Sequence, residues 1–348
     1  MAQGRLCEPL FLKPIFVERL WGGRRLAELL GKAAPPEKRI GESWEVADRP
    51  EAQSLVDGGA HDGATLHDLM QAAPVALLGP ELAARKPPRF PLLSKFLDAR
   101  ERLSLQVHPD DAGAKTLGLK DRGKSECWVI VHAEAGASVA RGLREGVTRE
   151  AFARAVAEDR VEELARCVPV AAGDVILVPP GMLHALGAGI VAAELGQNSD
   201  LTFRVYDYGR KDERGAPRPL HLKEALATLR FEGRFGDEFA GDMRRDKVEI
   251  AAGGFRGKTG LVGCATGKRF NVQMGSVKPG ETLRPERKPQ APVLMMALQG
   301  QGRLGERPFG AGRSILIPAG LSAAGSVEVK AVGREQLIWV EAWPTPEA

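Results

Sequence analysis

The most constraining feature of this sequence is a strand-and-turn pattern that occurs twice, far apart in the chain. Residues 172–181 are Ala-Gly-Asp-Val-Ile-Leu-Val-Pro-Pro-Gly, and residues 311–320 are Ala-Gly-Arg-Ser-Ile-Leu-Ile-Pro-Ala-Gly. Each copy has a glycine turn, a short apolar strand and a second turn with proline and glycine at one fixed offset. The strand that leads to Gly136 likewise resembles residues 293–302. This repetition predicts two similar halves built from short strands.

Short strands bounded by glycine and proline favour a double-sheet β-barrel for each half, of the jelly-roll or cupin kind. At 348 residues the chain is long enough for two such units. We therefore predict a mainly β fold: two cupin/jelly-roll β-barrel units with a few short helices. The first unit spans 1–245 and includes helical excursions, among them a helix over 148–167 with Thr148 as N-cap. The second unit spans 246–348.

Polar side chains of the first unit share one face of a predicted strand. Residues 103–108 alternate between apolar and polar, so Ser104, Gln106 and His108 point the same way, and Pro109 ends the strand. Two donors two residues apart have the spacing that two ligands of one metal ion require. On this strand alone, however, a solvated polar face is the commoner arrangement.

Two later segments add further donors and favour a metal site. Glu126 shares a strand face with Trp128 and Ile130, so its carboxylate enters an apolar interior and needs a proton, a cation or a metal there. His184 follows the proline-glycine turn of the first repeat. Two imidazoles, one carboxylate and one amide oxygen suit Zn²⁺ or another divalent ion. The predicted ligands are Gln106, His108, Glu126 and His184.

The second repeat lacks the corresponding ligands. Ala323 stands where the first repeat has His184, and Pro292 falls near the place of Glu126. The sequence therefore predicts one metal ion per chain, in the first unit.

Charge and hydropathy restrict the partners. The net charge of +4 is spread along the chain, without a dense basic block or interleaved aromatic residues, so nucleic acid is not an expected partner. No segment is apolar enough over sufficient length to cross a bilayer, and no signal peptide is recognisable. Four cysteines without a Cys-x-x-Cys pair indicate a reduced, cytoplasmic environment. The polar chain, with no obvious exposed apolar stripe, favours a monomer that acts on a small molecule.

Several runs of this sequence resemble type I mannose-6-phosphate isomerases, most of all their short bacterial form. The resemblance extends in order from about residue 9 to 230, and over the second unit it is one of pattern only. The matching runs are Pro-x-Phe-x-Glu-Arg-x-Trp-Gly-Gly (14–23), Gly-Glu-Ser-Trp-Glu (41–45), Ser-Leu-Gln-Val-His-Pro-Asp-Asp (104–111), Lys-Ser-Glu-Cys-Trp (124–128), Pro-Pro-Gly-Met-Leu-His-Ala (179–185) and Gln-Asn-Ser-Asp-Leu-Thr-Phe-Arg-Val-Tyr-Asp-Tyr (197–208).

The resemblance implies a zinc-dependent aldose–ketose isomerase that interconverts mannose 6-phosphate and fructose 6-phosphate through a cis-enediol. The family's zinc ligands fall on the four residues already chosen from strand faces and donor types. Arg204 matches the family's catalytic arginine, and Lys124 resembles its active-site lysine, on the strand face of Glu126. Glu194 matches an acidic pocket residue and is a candidate proton shuttle.

The resemblance also implies a place for the substrate phosphate, at Lys95 and Ser104. Ser104 shares the strand face of Gln106 and His108, which agrees with that role. Without the resemblance, Arg204 would be interpreted as a salt-bridge partner. Lys95 and Lys124 would be solvated surface residues, and Glu194 a paired or edge carboxylate.

Two other classes of function stay open on the sequence: another metal-dependent cupin enzyme, either an oxygenase or an isomerase of a different sugar, and a non-catalytic sugar-binding cupin. A metal-dependent cupin oxygenase uses a similar His/Glu set with iron, but usually has more histidines within one short motif than surround His108. An isomerase of a different sugar would share all the ligands. A non-catalytic sugar-binding cupin would have no need of the four ligands together with Lys124 and Arg204. Activity on a phosphorylated sugar distinguishes these alternatives.

Overall fold

The computed structural model describes residues 6–85, 88–212, 214–233, 235, 238–240, 259–285, 290–323 and 327–347. Short antiparallel strands dominate it, with a few helices between them. The predicted mainly β fold, with double-sheet units and short helices, is confirmed. The predicted domain boundary at 245/246 lies outside the described residues and stays a prediction.

Most strands up to residue 206 belong to the two sheets around the candidate site. The strands of this part of the chain are β1 (Leu10–Phe11), β2 (Ile15–Gly23), β3 (Ile40–Val46), β4 (Asp48–Arg49), β5 (Ala52–Gln53), β6 (Leu92–Ala99), β7 (Leu105–Val107), β8 (Glu126–Ala133), β9 (Ser138–Leu143), β10 (Ala165–Pro169), β11 (Val175–Val178), β12 (His184–Leu186), β13 (Ile190–Gln197) and β14 (Phe203–Tyr206). Of these, β1 joins the second pair of sheets, and β4 and β5 pair with each other.

Strands from residue 239 onward build the second pair of sheets. They are β15 (Phe239–Ala240), β16 (Gly260–Gly267), β17 (Phe270–Val277), β18 (Thr282–Leu283), β19 (Val293–Gln299), β20 (Gln301–Leu304), β21 (Arg307–Gly310), β22 (Ser314–Ile317), β23 (Val329–Ala331) and β24 (Leu337–Pro344). The helices are α1 (Arg25–Leu30), α2 (Leu66–Ala72), α3 (Pro74–Leu78), α4 (Pro80–Ala83), α5 (Asp111–Thr116), α6 (Arg149–Ala157), α7 (Leu222–Thr228) and α8 (Ala319–Ala323), with a 3₁₀ helix at Val161–Leu164. Among the described residues, no helix has the length and apolar character needed to cross a membrane.

The first pair consists of a six-stranded sheet, ordered β11-β8-β13-β6-β3-β2, and a five-stranded sheet, ordered β10-β9-β12-β7-β14. The second pair consists of a seven-stranded sheet, β1-β22-β19-β24-β17-β16-β15, and a four-stranded sheet, β18-β23-β20-β21. Buried apolar side chains fill the space between the sheets of each pair. The strand β1 from the start of the chain pairs with β22, so the two ends of the sequence share one sheet.

The six-stranded and seven-stranded sheets also pack back to back. On β8, Trp128 faces the first unit's interior, whereas Cys127 and Val129 pack into the core that contains Leu294 and Met296 of β19. Alternate residues of a strand point to opposite faces, so a strand covered on both faces becomes apolar throughout. The six-stranded sheet is therefore a middle layer that is supported from behind by the second unit.

The predicted helix over 148–167 is too long. Thr148 is the N-cap as expected, because its Oγ1 accepts a hydrogen bond from the backbone N–H of Ala151 (3.2 Å). The helix α6 ends at Ala157, and Asp159 then adopts a left-handed backbone conformation (φ 57°) that no continuing helix allows. After the 3₁₀ helix, the chain forms β10 at a sheet edge. The helical spacing of apolar residues therefore continues beyond the end of the helix itself.

A buried ion pair joins the two units. Lys32 Nζ lies 2.6 Å from Glu45 Oε1 and donates a hydrogen bond to Gly312 O (2.8 Å). Ser314 Oγ donates to the other Glu45 oxygen, Oε2, at 2.8 Å. Both charged side chains are almost fully buried, and burial lowers the pKa of Lys32 even though Glu45 opposes this shift. Loss of either partner would leave a buried charge without its counter-ion.

Substitution of Lys32 by Met should therefore lower the free energy of unfolding by about 3–5 kcal/mol, since Glu45 would remain buried without a cation. Urea denaturation measures the change. The matched control is Lys38→Met, which removes an exposed pair with Glu18 and should change stability little. The double variant Lys32→Met/Glu45→Leu should recover much of the loss. Equal stability of the wild type and Lys32→Met would contradict this account.

Candidate functional site

Strand register places three of the predicted site residues side by side on the five-stranded sheet. Gln106 on β7 lies directly opposite His184 on β12 and Arg204 on β14. Directly opposed residues of antiparallel strands point to the same face of the sheet. All three side chains therefore enter the space between the two sheets, and a register slip by one residue would turn them away.

The facing six-stranded sheet contributes the acidic and lysine residues. Glu194 on β13 lies opposite Lys95 on β6 and opposite Trp128 on β8. Glu126 is the first residue of β8, opposite Gly196, and Lys124 precedes it by two residues in the chain. Residues separated by almost one hundred positions are thus brought onto one face of one sheet.

His108, Glu126 and His184 converge on one point between the sheets. One potential ligand atom from each lies within 4.8 Å of the others, and all three residues are buried. The Nε2 atoms of the two imidazoles are 3.1 Å apart. Glu126 Oε2 lies 3.7 Å from His108 Nε2, and its Oε1 lies 3.4 Å from His184 Nε2.

Both imidazoles are oriented by backbone carbonyls. His108 Nδ1 lies 2.6 Å from Leu201 O, and His184 Nδ1 lies 2.8 Å from Met182 O. A carbonyl oxygen only accepts hydrogen bonds, so each Nδ1 carries the proton and each Nε2 presents its lone pair to the other ring. Burial, with His108 next to it, lowers the pKa of His184 to about 3, which keeps this ring neutral at physiological pH.

The donor set fits a divalent metal ion. Two neutral imidazole nitrogens and a carboxylate are ligands that zinc and similar ions take. Neither oxygen of the fully buried Glu126 accepts a well-aligned hydrogen bond from the described residues, although Lys124 Nζ is 2.6 Å from Oε2. The fourth predicted ligand, Gln106, has Nε2 at 3.3 Å from His184 Nε2, and rotation of the amide brings its oxygen to the same place.

Lys124 is shared by two buried carboxylates. Its Nζ lies 2.6 Å from Glu126 Oε2 and 3.1 Å from Glu194 Oε1. Burial disfavours the charged form of Glu126, but the charge of Lys124 opposes this, and the pKa of Glu126 lies well below the usual range. The pKa of Glu194 is raised, first by burial and also by the charge of Glu126, in spite of Lys124. Lys124 therefore stabilises the ionised form of Glu126, whereas the carboxyl group of Glu194 keeps its proton more readily.

A cavity of about 380 Å³ opens beside the His–Glu–His cluster. All the other predicted site residues line it, which places the catalytic, phosphate-binding and metal-binding candidates around one space. These lining residues are Lys95, Ser104, Gln106, Lys124, Glu194 and Arg204.

An ion network at this cavity was not predicted from the sequence. Lys95 Nζ lies 3.2 Å from Glu42 Oε2 and 2.8 Å from Asp200 Oδ1, and it sits 4.3 Å from the ring centre of Trp44. Arg19 contacts the other Glu42 oxygen at 2.6 Å. A signal for Glu42 was available, because it shares an alternating strand face with Trp44, as Glu126 does with Trp128.

The sequence predicts no role for His221, but in the structure it forms two hydrogen bonds with the backbone of Arg204. Its Nδ1 accepts a hydrogen bond from the Arg204 backbone N–H (3.1 Å), and its own N–H donates to Arg204 O (2.8 Å). Arg204 in turn donates from Nη1 to Pro219 O (2.9 Å), and its buried Nε has no hydrogen-bond partner among the described residues. Burial, with Arg218 nearby, lowers the pKa of Arg204.

Comparison with known proteins gives consistent results. The profile of the phosphomannose isomerase type I catalytic domain matches residues 10–122. The chain is 37% identical over 319 residues to the mannose-6-phosphate isomerase ManA of Bacillus subtilis, a match that covers 90% of this chain and 94% of the relative. It is 39% identical over 224 residues to the mannose-6-phosphate isomerase of Streptococcus mutans, covering 64% and 68% of the two chains. The crystal structure of mannose 6-phosphate isomerase from Bacillus subtilis superposes with a TM-score of 0.74 at 26% identity, covering 96% and 99%.

The Glu42 network should make stability depend on pH in the acid range. Burial raises the pKa of Glu42, but Lys95 and Arg19 together lower it to about 2. A carboxyl with a lowered pKa in the folded protein contributes stability above its unfolded value, near pH 4.5, and loses it as the pH falls towards 2. We expect Glu42→Gln to lower the free energy of unfolding at pH 7 by about 3 kcal/mol and to flatten its decrease between pH 4.5 and 2. Urea titrations across this range test the expectation, with Glu18→Gln, at an exposed pair, as control.

Proposed function

The chain belongs to the type I phosphomannose isomerase family, and we propose that it is a zinc-dependent enzyme that interconverts mannose 6-phosphate and fructose 6-phosphate through a cis-enediol. The observation that carries the proposal is the single cavity that brings six predicted residues next to the His–Glu–His cluster. The proposed metal ligands are Gln106, His108, Glu126 and His184. A divalent ion held there would act as a Lewis acid towards the sugar oxygens.

The reaction needs a proton acceptor that also returns the proton. A proton leaves C2 of the open-chain aldose and is delivered to C1, while the neighbouring oxygens carry developing negative charge. Glu194 lines the cavity, and burial raises its pKa above the ordinary value, which suits a carboxyl that takes up a proton and returns it. Lys124 holds Glu194 in place at 3.1 Å and keeps Glu126 ionised, so the two carboxylates take different roles.

We assign stabilisation of the developing oxyanion to Arg204. Its side chain lines the cavity beside Gln106, the hydrogen bond to Pro219 O orients the guanidinium, and His221 holds the Arg204 backbone. The unsatisfied buried Nε leaves a donor for substrate. One well-placed donor of this kind is worth about 2–4 kcal/mol of transition-state stabilisation.

The substrate phosphate is assigned to Lys95 and Ser104. An ammonium group has three donors, and Lys95 uses two of them on Glu42 and Asp200, so one remains for a phosphate oxygen. Ser104 is buried in the cavity wall, where its hydroxyl is able to donate to the same anion. We further propose a cytoplasmic monomer with one metal ion per chain, and the domain division 1–245 and 246–348 as predicted from the sequence.

Metal removal is the first test. In a coupled assay with mannose 6-phosphate, chelation by EDTA should abolish turnover, and Zn²⁺ should restore it. His184→Ala should lose both metal and activity, whereas His61→Ala, a histidine outside the site, should keep both. Elemental analysis of each protein gives the metal content. Full activity in protein stripped of metal would contradict zinc dependence, and no turnover at full metal occupancy would contradict this substrate and redirect the assay to other sugars.

Substitution of Arg204 separates charge stabilisation from metal binding. Arg204→Leu should lower kcat by about 10²–10³-fold at unchanged zinc content, since a donor to the developing charge is lost but no metal ligand is. Arg154→Leu, at an exposed arginine of α6, is the matched control and should leave kcat as in the wild type. Wild-type kcat in Arg204→Leu would refute the role given to this residue.

A further inference from the structure

A second and larger cavity adjoins the proposed metal site, since Arg141 in its wall lies directly opposite His184 in the pairing of β9 with β12. It has a volume of about 680 Å³ and shares no lining residue with the cavity described above. Residues of β9, β10 and β11 line it, where the edge strands β10 and β11 of the two sheets meet, together with the chain after α7 and Cys264 of β16. Its volume lies in the range of sites that hold small organic ligands.

One wall of this cavity carries a buried cation without a counter-ion. Arg141 is 8% exposed, and its Nε donates a hydrogen bond to Leu177 O (3.2 Å). Among the described residues, its two Nη groups have no hydrogen bond, and no carboxylate lies within ion-pair distance. Burial, with Arg166 second, lowers the pKa of Arg141 to about 10, so the guanidinium is still charged at neutral pH. Unpaired buried charges of this kind are rare and costly.

Two further arginines line the same cavity. Arg144 and Arg166 each use Nε on a backbone carbonyl, Ala165 O at 3.4 Å and Arg141 O at 3.1 Å, and neither forms an ion pair within the described ranges. Arg230 also lines the cavity but is paired with Asp110 at 2.9 Å. The acidic lining residues, Glu145 and Glu232, are exposed. Arg144 and Arg166 are exposed as well, so the charge of the buried part of the cavity comes from Arg141, with the two other guanidiniums at its opening.

The rest of the wall is apolar. Val175, Leu177 and Met182 are buried residues that line it, and Phe231 adds an aromatic ring. A ligand for this space thus needs an anionic group for the guanidiniums and an organic body for the apolar side. A phosphomonoester carries close to two negative charges at neutral pH and offers three acceptor oxygens, which matches several guanidiniums better than one carboxylate does.

We propose that this cavity is a second ligand site, which binds a small organic phosphomonoester through Arg141, Arg144 and Arg166 and packs its organic part against Val175 and Met182. The proposal gives a role to side chains that take no part in the proposed isomerase chemistry, and it is tested by binding alone.

Calorimetric titration with phenyl phosphate tests the site on the full chain. We expect binding to the wild type, binding that persists in Lys95→Gln, where the active-site cavity has lost its lysine, and a Kd at least tenfold higher in Arg141→Leu. Arg154→Leu removes the same charge from an exposed position and should bind as the wild type does. Inorganic phosphate should bind more weakly than phenyl phosphate, since it lacks the apolar part, and phenol should bind more weakly still.

Several outcomes would overturn the proposal. They are a wild-type Kd above about 1 mM, loss of all binding in Lys95→Gln, and unchanged binding in folded Arg141→Leu. If Arg141→Leu does not fold, Arg166→Leu gives the answer, because Arg166 is exposed on the edge strand β10 and its side chain is dispensable for packing. A folded Arg166→Leu that binds phenyl phosphate with wild-type affinity would equally refute the assignment.

Discussion

The burial of the Glu126 carboxylate between two sheets is the constraint on which the rest of the site depends. An ionised carboxylate costs several kcal/mol to remove from water unless cations or donors surround it. Lys124 Nζ, 2.6 Å from Glu126 Oε2, supplies one such cation. The two imidazole Nε2 atoms donate no hydrogen bond to the carboxylate, because both nitrogens present lone pairs. A divalent cation at the centre of this group would satisfy the carboxylate and both rings together.

The backbone around Glu126 is shaped to allow this arrangement. Gly196 is its neighbour on β13, and a Cβ added there would lie 3.0 Å from Ser125 O and 3.2 Å from Glu126 Cβ. A side chain at this position would push against the carboxylate or the strand that carries it. The same strand provides Glu194 two residues earlier, so period two puts this second carboxylate on the face of the cavity. Register and glycine placement together thus fix both carboxylates.

Sequence patterns predicted the centre of the site better than its surroundings. Period-two alternation points to His108 and Glu126, and the turn after the apolar strand points to His184; the structure brings these three residues together. The link between Glu42 and Lys95 requires the register of β3 against β6, which no local pattern contains. The spacing of apolar residues likewise carries no information about the left-handed backbone of Asp159. The sequence therefore does not predict that α6 ends at Ala157.

The second unit supports the candidate site, although the His–Glu–His cluster found among the described residues lies in the first unit. Its seven-stranded sheet packs against the back of the six-stranded sheet, where Phe96, Val129 and Ala193 face Met296 and other residues of the second unit. The strands of these three residues carry Lys95, Glu126 and Glu194 on or near the opposite face. Close packing behind a sheet resists displacement of its strands, so the alignment of the charged groups depends on this apolar layer. The unit for which the sequence predicts no metal ligand therefore has a physical role, as the rigid support of the sheet that carries Lys95, Glu126 and Glu194.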